Sequence, residues 1–256
     1  VLPFLDDDRP FFRGIIRYAL PISQIERSYL KCWQSEHQMT VWRQEKPINS
    51  FTKIDVKFGH DLEKKFISAE RNDYVCMGLP DKTYYETKIK SEHQISTRSD
   101  LYASFPSWES YYSSAEKLIK SGYQVLRMGQ FVDNSMPRLM NPGIIDYARD
   151  FRTEFGDVWL LSSCKFAVSG NGTGFYWISA AMNKPVVLTD MPSPQKTSYG
   201  KNDLFLPLLA RSRRHERLLP FSWLINNREW ATNRIHIEGD IEIVKNTSEE
   251  ITEVVL

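Results

Sequence analysis

From Asp73 onward the hydrophobic positions fall into short contiguous runs, separated by helix-length stretches in which apolar residues recur at helical spacing. Tyr74-Val75-Cys76-Met77 predicts a strand that stops at Gly78-Leu79-Pro80-Asp81, because Pro80 has no amide proton to continue a ladder. Trp108, Tyr111, Tyr112, Ala115, Leu118 and Ile119 line one side of a helix, with Ser107 placed to cap its start and Gly122 to close its end. Tyr123 to Met128 predicts a second strand ending at Gly129, and Val158 to Ser163 a short helix. Strand, helix and strand thus alternate as they do when a parallel sheet is built.

The densest signal runs from Leu161 to Met191. An apolar run, Lys165 to Val168, leads into Ser169-Gly170-Asn171-Gly172-Thr173-Gly174, then a helix-length segment from Phe175 to Met182 and a β-branched run from Lys184 to Leu188. Glycine is required where the backbone takes positive φ or closely approaches a ligand, and this turn holds more of it than a simple strand-to-helix connection needs. Amides at such a turn, with the Ser169 and Thr173 hydroxyls beside them, suit an anion such as phosphate; a tight turn that lets the helix pack on the sheet is the alternative. In open parallel sheets ligands bind beyond the carboxyl ends of the strands. That rule brings together Gly78 to Asp81, Arg127 to Gly129, and Ser169 to Gly174. Arg127, a cation inside an apolar run, reads either as a phosphate clamp or as an ion-pair partner of Asp146 or Asp150.

The flanks are less regular. Asp6-Asp7-Asp8 reads as a solvated charge run, and Asp61 to Arg71 as an amphipathic helix with Leu62, Phe66 and Ala69 on one face. The polar stretch from Lys82 to Ser104 is longer than ordinary connections. Arg211, Arg213, Arg214, His215 and Arg217 form the densest basic cluster, read as a solvated helix face, with a phosphate or acidic-lipid contact as the alternative. Ile235, Ile237, Ile241 and Ile243 alternate around Gly239-Asp240, and Thr247 with Glu250 forms a capping box that starts a final helix.

Composition narrows the chemistry. The 33 Lys and Arg nearly balance the 32 Asp and Glu, so overall charge does not point to nucleic acid or to an anionic membrane. Cys32, Cys76 and Cys164 have no metal-type spacing and read as free thiols of a reducing, cytoplasmic compartment. No apolar run approaches the about 18 residues of a membrane span, and no leader pattern opens the chain; without an initiating Met it reads as a fragment. The five histidines are scattered, so no metal site is expected. Neither a Gly-x-Ser-x-Gly elbow nor a Gly-Lys-Ser/Thr ending is present. Asp190 lies 20 residues beyond Gly170, as in a dinucleotide fingerprint, but Phe175 stands where the third glycine of that pattern belongs.

Tyr74-Val75-Cys76-Met77, the segment from Lys120 to Gly129, Ile145-Asp146-Tyr147-Ala148, Phe166 to Gly174 and Lys184-Pro185-Val186 resemble, in order and spacing, a family of bacterial glycosyltransferases. They look like the nucleotide-sugar half of two-Rossmann-domain enzymes distantly similar to fucosyltransferases. The resemblance covers about Asp73 to Leu256, and residues 1–72 are then expected to form an acceptor-side region or linker. It implies an α/β, Rossmann-like parallel sheet flanked by helices. It also implies a nucleotide-sugar donor as substrate with no further cofactor or metal, a glycan or glycolipid acceptor, and no nucleic acid partner; a peripheral membrane contact is compatible with it. On this resemblance Ser169, Gly170, Asn171, Gly172, Thr173 and Gly174 hold the donor phosphates with Gly129 nearby, Arg127 offsets charge on the leaving diphosphate, and Asp81 is the candidate base. Where the family carries His-Val-Arg-Asp, this chain has Gly78-Leu79-Pro80-Asp81, which leaves Arg98 or Arg127 as the candidate substitute for the missing arginine. The alternative is a non-catalytic nucleotide-sugar or glycan binding module.

Overall fold

The structure, a computed structural model, describes residues 51–68, 73–80, 83, 107–130, 132, 141–170, 173–191, 202–220, 222–223 and 240–256. In chain order these form α1 (Lys53–Glu63), β1 (Tyr74–Gly78), α2 (Trp108–Lys120), β2 (Gln124–Met128), β3 (Ile144–Ile145), α3 (Tyr147–Asp150), α4 (Glu154–Ser163) and β4 (Phe166–Gly170). They continue as α5 (Tyr176–Ala181), β5 (Val186–Met191), β6 (Leu204–Pro207), β7 (Leu209–Ser212), β8 (Arg217–Leu218), β9 (Ile241–Val244) and α6 (Ser248–Val255).

Six strands form one parallel sheet in the order β3-β2-β1-β4-β5-β6. This is the Rossmann arrangement, in which strand order reverses between β1 and β4. Both sheet faces are covered, which is why the strands read as contiguous apolar runs. Val75 and Met77 turn to one face with Val125, Val168 and Val187, under α2 and α6. Tyr74 and Cys76 turn to the other with Leu126 and Ala167, under α3, α4 and α5. A smaller antiparallel sheet, β8-β7-β9, follows from the carboxyl end of the edge strand β6.

The helix signals act through particular atoms. Thr247 and Glu250 close the expected capping box, the Thr247 hydroxyl accepting from the Glu250 amide (3.2 Å) and the Glu250 carboxylate from the Thr247 amide (2.8 Å). Gly122 ends α2 at φ 95°, a conformation that favours glycine. Ser107 stands at the N-cap of α2 but makes no capping bond through its hydroxyl.

Two expectations are corrected. The amphipathic helix expected over Asp61 to Arg71 is instead α1, which starts at a Thr52–Asp55 capping box and ends at Glu63; residues 69–71 lie outside the described ones. Glu63 ties it down by accepting from the Trp159 indole and the Tyr74 hydroxyl, each at 2.9 Å. The basic cluster is a β7–β8 hairpin rather than a helix face, with Glu216 at φ 49° in its turn. Asp240, distant in sequence, accepts the turn's amides and so decides its conformation.

Candidate functional site

The glycine turn follows β4 at the reversal point, where Ser169 stands beside Gly78 in the register of β1 and β4. Asn171 and Gly172 lie outside the described residues, as do Asp81 and Arg98. Of the rest, Ser169 and Gly170 are buried, whereas Thr173 and Gly174 are half-buried. The Ser169 and Thr173 hydroxyls lie 2.5 Å apart, one donating to the other, and both are within hydrogen-bond reach of the Gly170 carbonyl, at 3.3 and 3.1 Å. The two hydroxyls expected to face a ligand therefore stitch the turn. Among the described residues, nothing in the protein accepts from the amides of Gly174 and Phe175. α5 has only six residues, so an anion here would be held by these amides at short range and little by a helix dipole.

Phe175 is the residue that sequence reasoning missed. Its ring lies over the end of β1, where a Cβ on Gly78 would come within 1.9 Å of the ring. The bare backbone at Gly78 and the aromatic at the foot of the turn are thus one feature, and the half-buried ring forms an apolar wall beside the open amides. An aromatic directly after a glycine turn is the signal, but only the pairing of β1 with β4 reveals what the ring covers.

Arg127 sits on β2 about 1% exposed, its Nη1 donating to Asp146 at 2.9 Å and its guanidinium 5.7 Å from the Trp108 ring centre. The ion-pair reading of this residue has a concrete geometry, and the guanidinium is sealed inside the protein. Burying such a pair costs desolvation that its attraction only partly offsets. Gly129 has a packing reason of its own, since a Cβ there would approach Val132 Cγ1 to 2.7 Å. Asp190 is also occupied: it takes φ 53° at the end of β5 and accepts from the Asn246 amide (3.0 Å) and the Tyr111 hydroxyl (2.9 Å). Burial raises its pKa, and it ties the approach to α6 onto the sheet.

An open hollow of about 520 Å³ lies at the ends of β2 and β3, lined by Lys65, Gln130, Arg149, Arg152 and Thr153 among others, with no residue of the glycine turn. Arg152 is committed to Asp157 at 2.8 Å. Burial pushes the Asp157 carboxyl up to about 6, against the opposing pull of Arg152. Among the described residues no group of His, Cys, Asp or Glu could hold a metal ion, and no helix is long and apolar enough to cross a membrane.

No protein-family model and no curated protein matches the chain. Among solved structures it is similar to the dodecameric iron-containing heptosyltransferase TibC in complex with ADP-D-β-D-heptose, at 16% identity and a TM-score of 0.30. The alignment covers 52% of this chain and 31% of that one, so the chain spans about a third of that protein's length. A likeness this slight leaves the strand order and the glycine turn as the ground for a functional reading.

Proposed function

We propose that the crevice between the carboxyl ends of β1 and β4 takes a nucleotide sugar, and that the protein transfers the sugar to a hydroxyl of a glycan or glycolipid acceptor without a metal ion. The observation that carries this reading is the open pair of amides at Gly174 and Phe175, presented at the reversal point of the sheet. Transfer passes through an oxocarbenium-like state while negative charge grows on the departing diphosphate. Donors aimed at that charge stabilise it without reorganising. In this reading the turn from Ser169 to Gly174 holds the phosphates, its hydroxyls keeping the amides in place, and the Phe175 ring packs against the sugar or the base. Arg98 supplies the cation that Pro80 lacks, and Asp81 accepts the acceptor's proton. Arg127 acts at a distance, as the counter-charge that fixes Asp146 and the end of β2.

A binding module without transferase activity is the second reading, favoured by one observation: the position beside β4 on β1 carries no side chain and is filled by Phe175. Calorimetric titration with UDP-, GDP-, CMP- and ADP-sugars, followed by product analysis with each donor that binds, separates the two. Binding with sugar transfer or donor hydrolysis is the expected outcome. Binding alone identifies the module, and failure of every nucleotide to bind overturns both.

A further inference from the structure

The β7–β8 hairpin presents four guanidiniums that the proposed chemistry does not use. Arg211, Arg213, Arg214 and Arg217 are all exposed, and among the described residues none forms an ion pair. The backbone beneath them is held in one conformation. Asp240 accepts from the Arg214 amide through Oδ1 and from the Ser212 hydroxyl through Oδ2, both at 2.5 Å, and its carbonyl accepts from the Arg213 amide at 2.7 Å. The Ser212 hydroxyl in turn accepts from the His215 amide at 3.2 Å. Asp240 is hydrogen-bonded into the turn and its carboxylate also feels the Arg214 charge, while Glu216 and Glu242 form no ion pair with the arginines among the described residues.

Strand alternation divides the small sheet into two faces. Ala210 and Ser212 are buried, and the inner core around Ala210 includes Ile241 and Ile243. Arg211 lies opposite Leu218 on β8 and Glu242 on β9, so these three share the outer face. Leu218 is 49% exposed there. An ordered cationic tip with an exposed leucine at its base fits a surface that offers dense phosphate and, just behind it, hydrocarbon. Guanidinium, unlike ammonium, can grip phosphate oxygens two at a time. A nucleic acid would meet the charge but give the leucine nothing to enter.

We infer that this hairpin docks the protein on the anionic face of a phospholipid bilayer. β7 continues from the carboxyl end of β6, the end of the sheet that also carries the glycine turn, so docking would hold that end towards the membrane. The inference does not depend on the identity of the donor, because it is tested without one.

Co-sedimentation of the full chain with phosphatidylcholine vesicles, and with vesicles that also contain phosphatidylglycerol, tests it. Binding is expected only to the anionic vesicles, with loss at high salt. Arg213→Gln and Arg214→Gln should each lower partitioning about fivefold. Leu218→Ser should lower it less, whereas Lys117→Gln with Lys120→Gln, twice that charge change on α2, should leave it nearly unaltered. Equal binding to neutral vesicles, insensitivity to the arginine substitutions or an equal effect of the α2 pair would overturn the inference. So would tighter binding to a DNA duplex at matched phosphate concentration. The salt and lipid dependence of the unsubstituted protein decides the matter should a variant fail to fold.

Discussion

Arg127 lies on β2 with about 1% of its surface exposed and Asp146 at 2.9 Å, whereas Arg213, Arg214 and Arg217 stand in solvent at a hairpin tip and form no ion pair among the described residues. The first sits in an apolar run, the pattern that draws attention to a cation in a sequence; the others sit in a charge run, the pattern usually dismissed. Burial reverses their availability. A guanidinium enclosed by the sheet and α2 has its charge answered within the protein, while one held out on an ordered turn is stabilised by water and is open to an external counter-charge.

The largest effect is expected where the sealed charge is broken. Arg127→Ala leaves Asp146 uncompensated and should cost about 3 to 5 kcal/mol of folding stability, read from urea unfolding. Arg127→Met combined with Asp146→Leu should recover most of that loss. If the double variant recovers stability but binds nucleotide sugars no better than Arg127→Ala, the pair contributes to the site as well as to the fold.

The Arg152–Asp157 pair is intermediate between sealed and exposed, with side chains 19% and 10% accessible. Because burial raises the Asp157 carboxyl from 3.8 to about 6, the unfolded chain gives up this proton at lower pH than the folded one. The associated stability is fully present below about pH 4 and is lost as pH rises through about 6, a decline of about 3 kcal/mol from this group. Asp157→Asn should flatten that part of the stability profile. Unfolding curves measured on both sides of the window check the sign, and an unchanged slope would place the carboxyl in a more polar setting.

At the exposed end of the comparison, Asp240→Ala removes the acceptors of the Arg214 amide and the Ser212 hydroxyl without touching an arginine. The melting temperature should hardly move, while the amides of Arg214 and His215 exchange several-fold faster. Unaltered exchange would mean that the tip is ordered by something other than Asp240.

The fold was legible where local pattern and global burial agree. Tyr74 to Met77, Gln124 to Met128 and Val186 to Leu188 are apolar without alternation because a parallel sheet covered on both faces buries every position, and each emerged as a strand. The Thr247 capping box was legible for the same reason: its bonds span three residues. The start of α1 uses the same device, with Asp55 in place of the glutamate. The basic hairpin was read as helix because the residue that sets its turn, Asp240, lies 26 positions from Arg214.

In the site, the position of the glycine turn at a strand end was visible from composition and spacing alone. What the turn faces was not. Phe175 covers Gly78 only because β1 and β4, far apart in the chain, pair in register, and the Ser169 and Thr173 hydroxyls meet only once the turn closes.

By itself, then, the sequence determined the alternation of strand and helix, the caps and the place of the turn, all of which depend on residues a few positions apart. The order of the strands, the enclosure of Arg127 and the exposure of the hairpin arginines were decided by tertiary structure. Whether a charge meets water, a carboxylate or a ligand depends on which distant segments pack around it, and that information is carried by contacts rather than by neighbours in the chain.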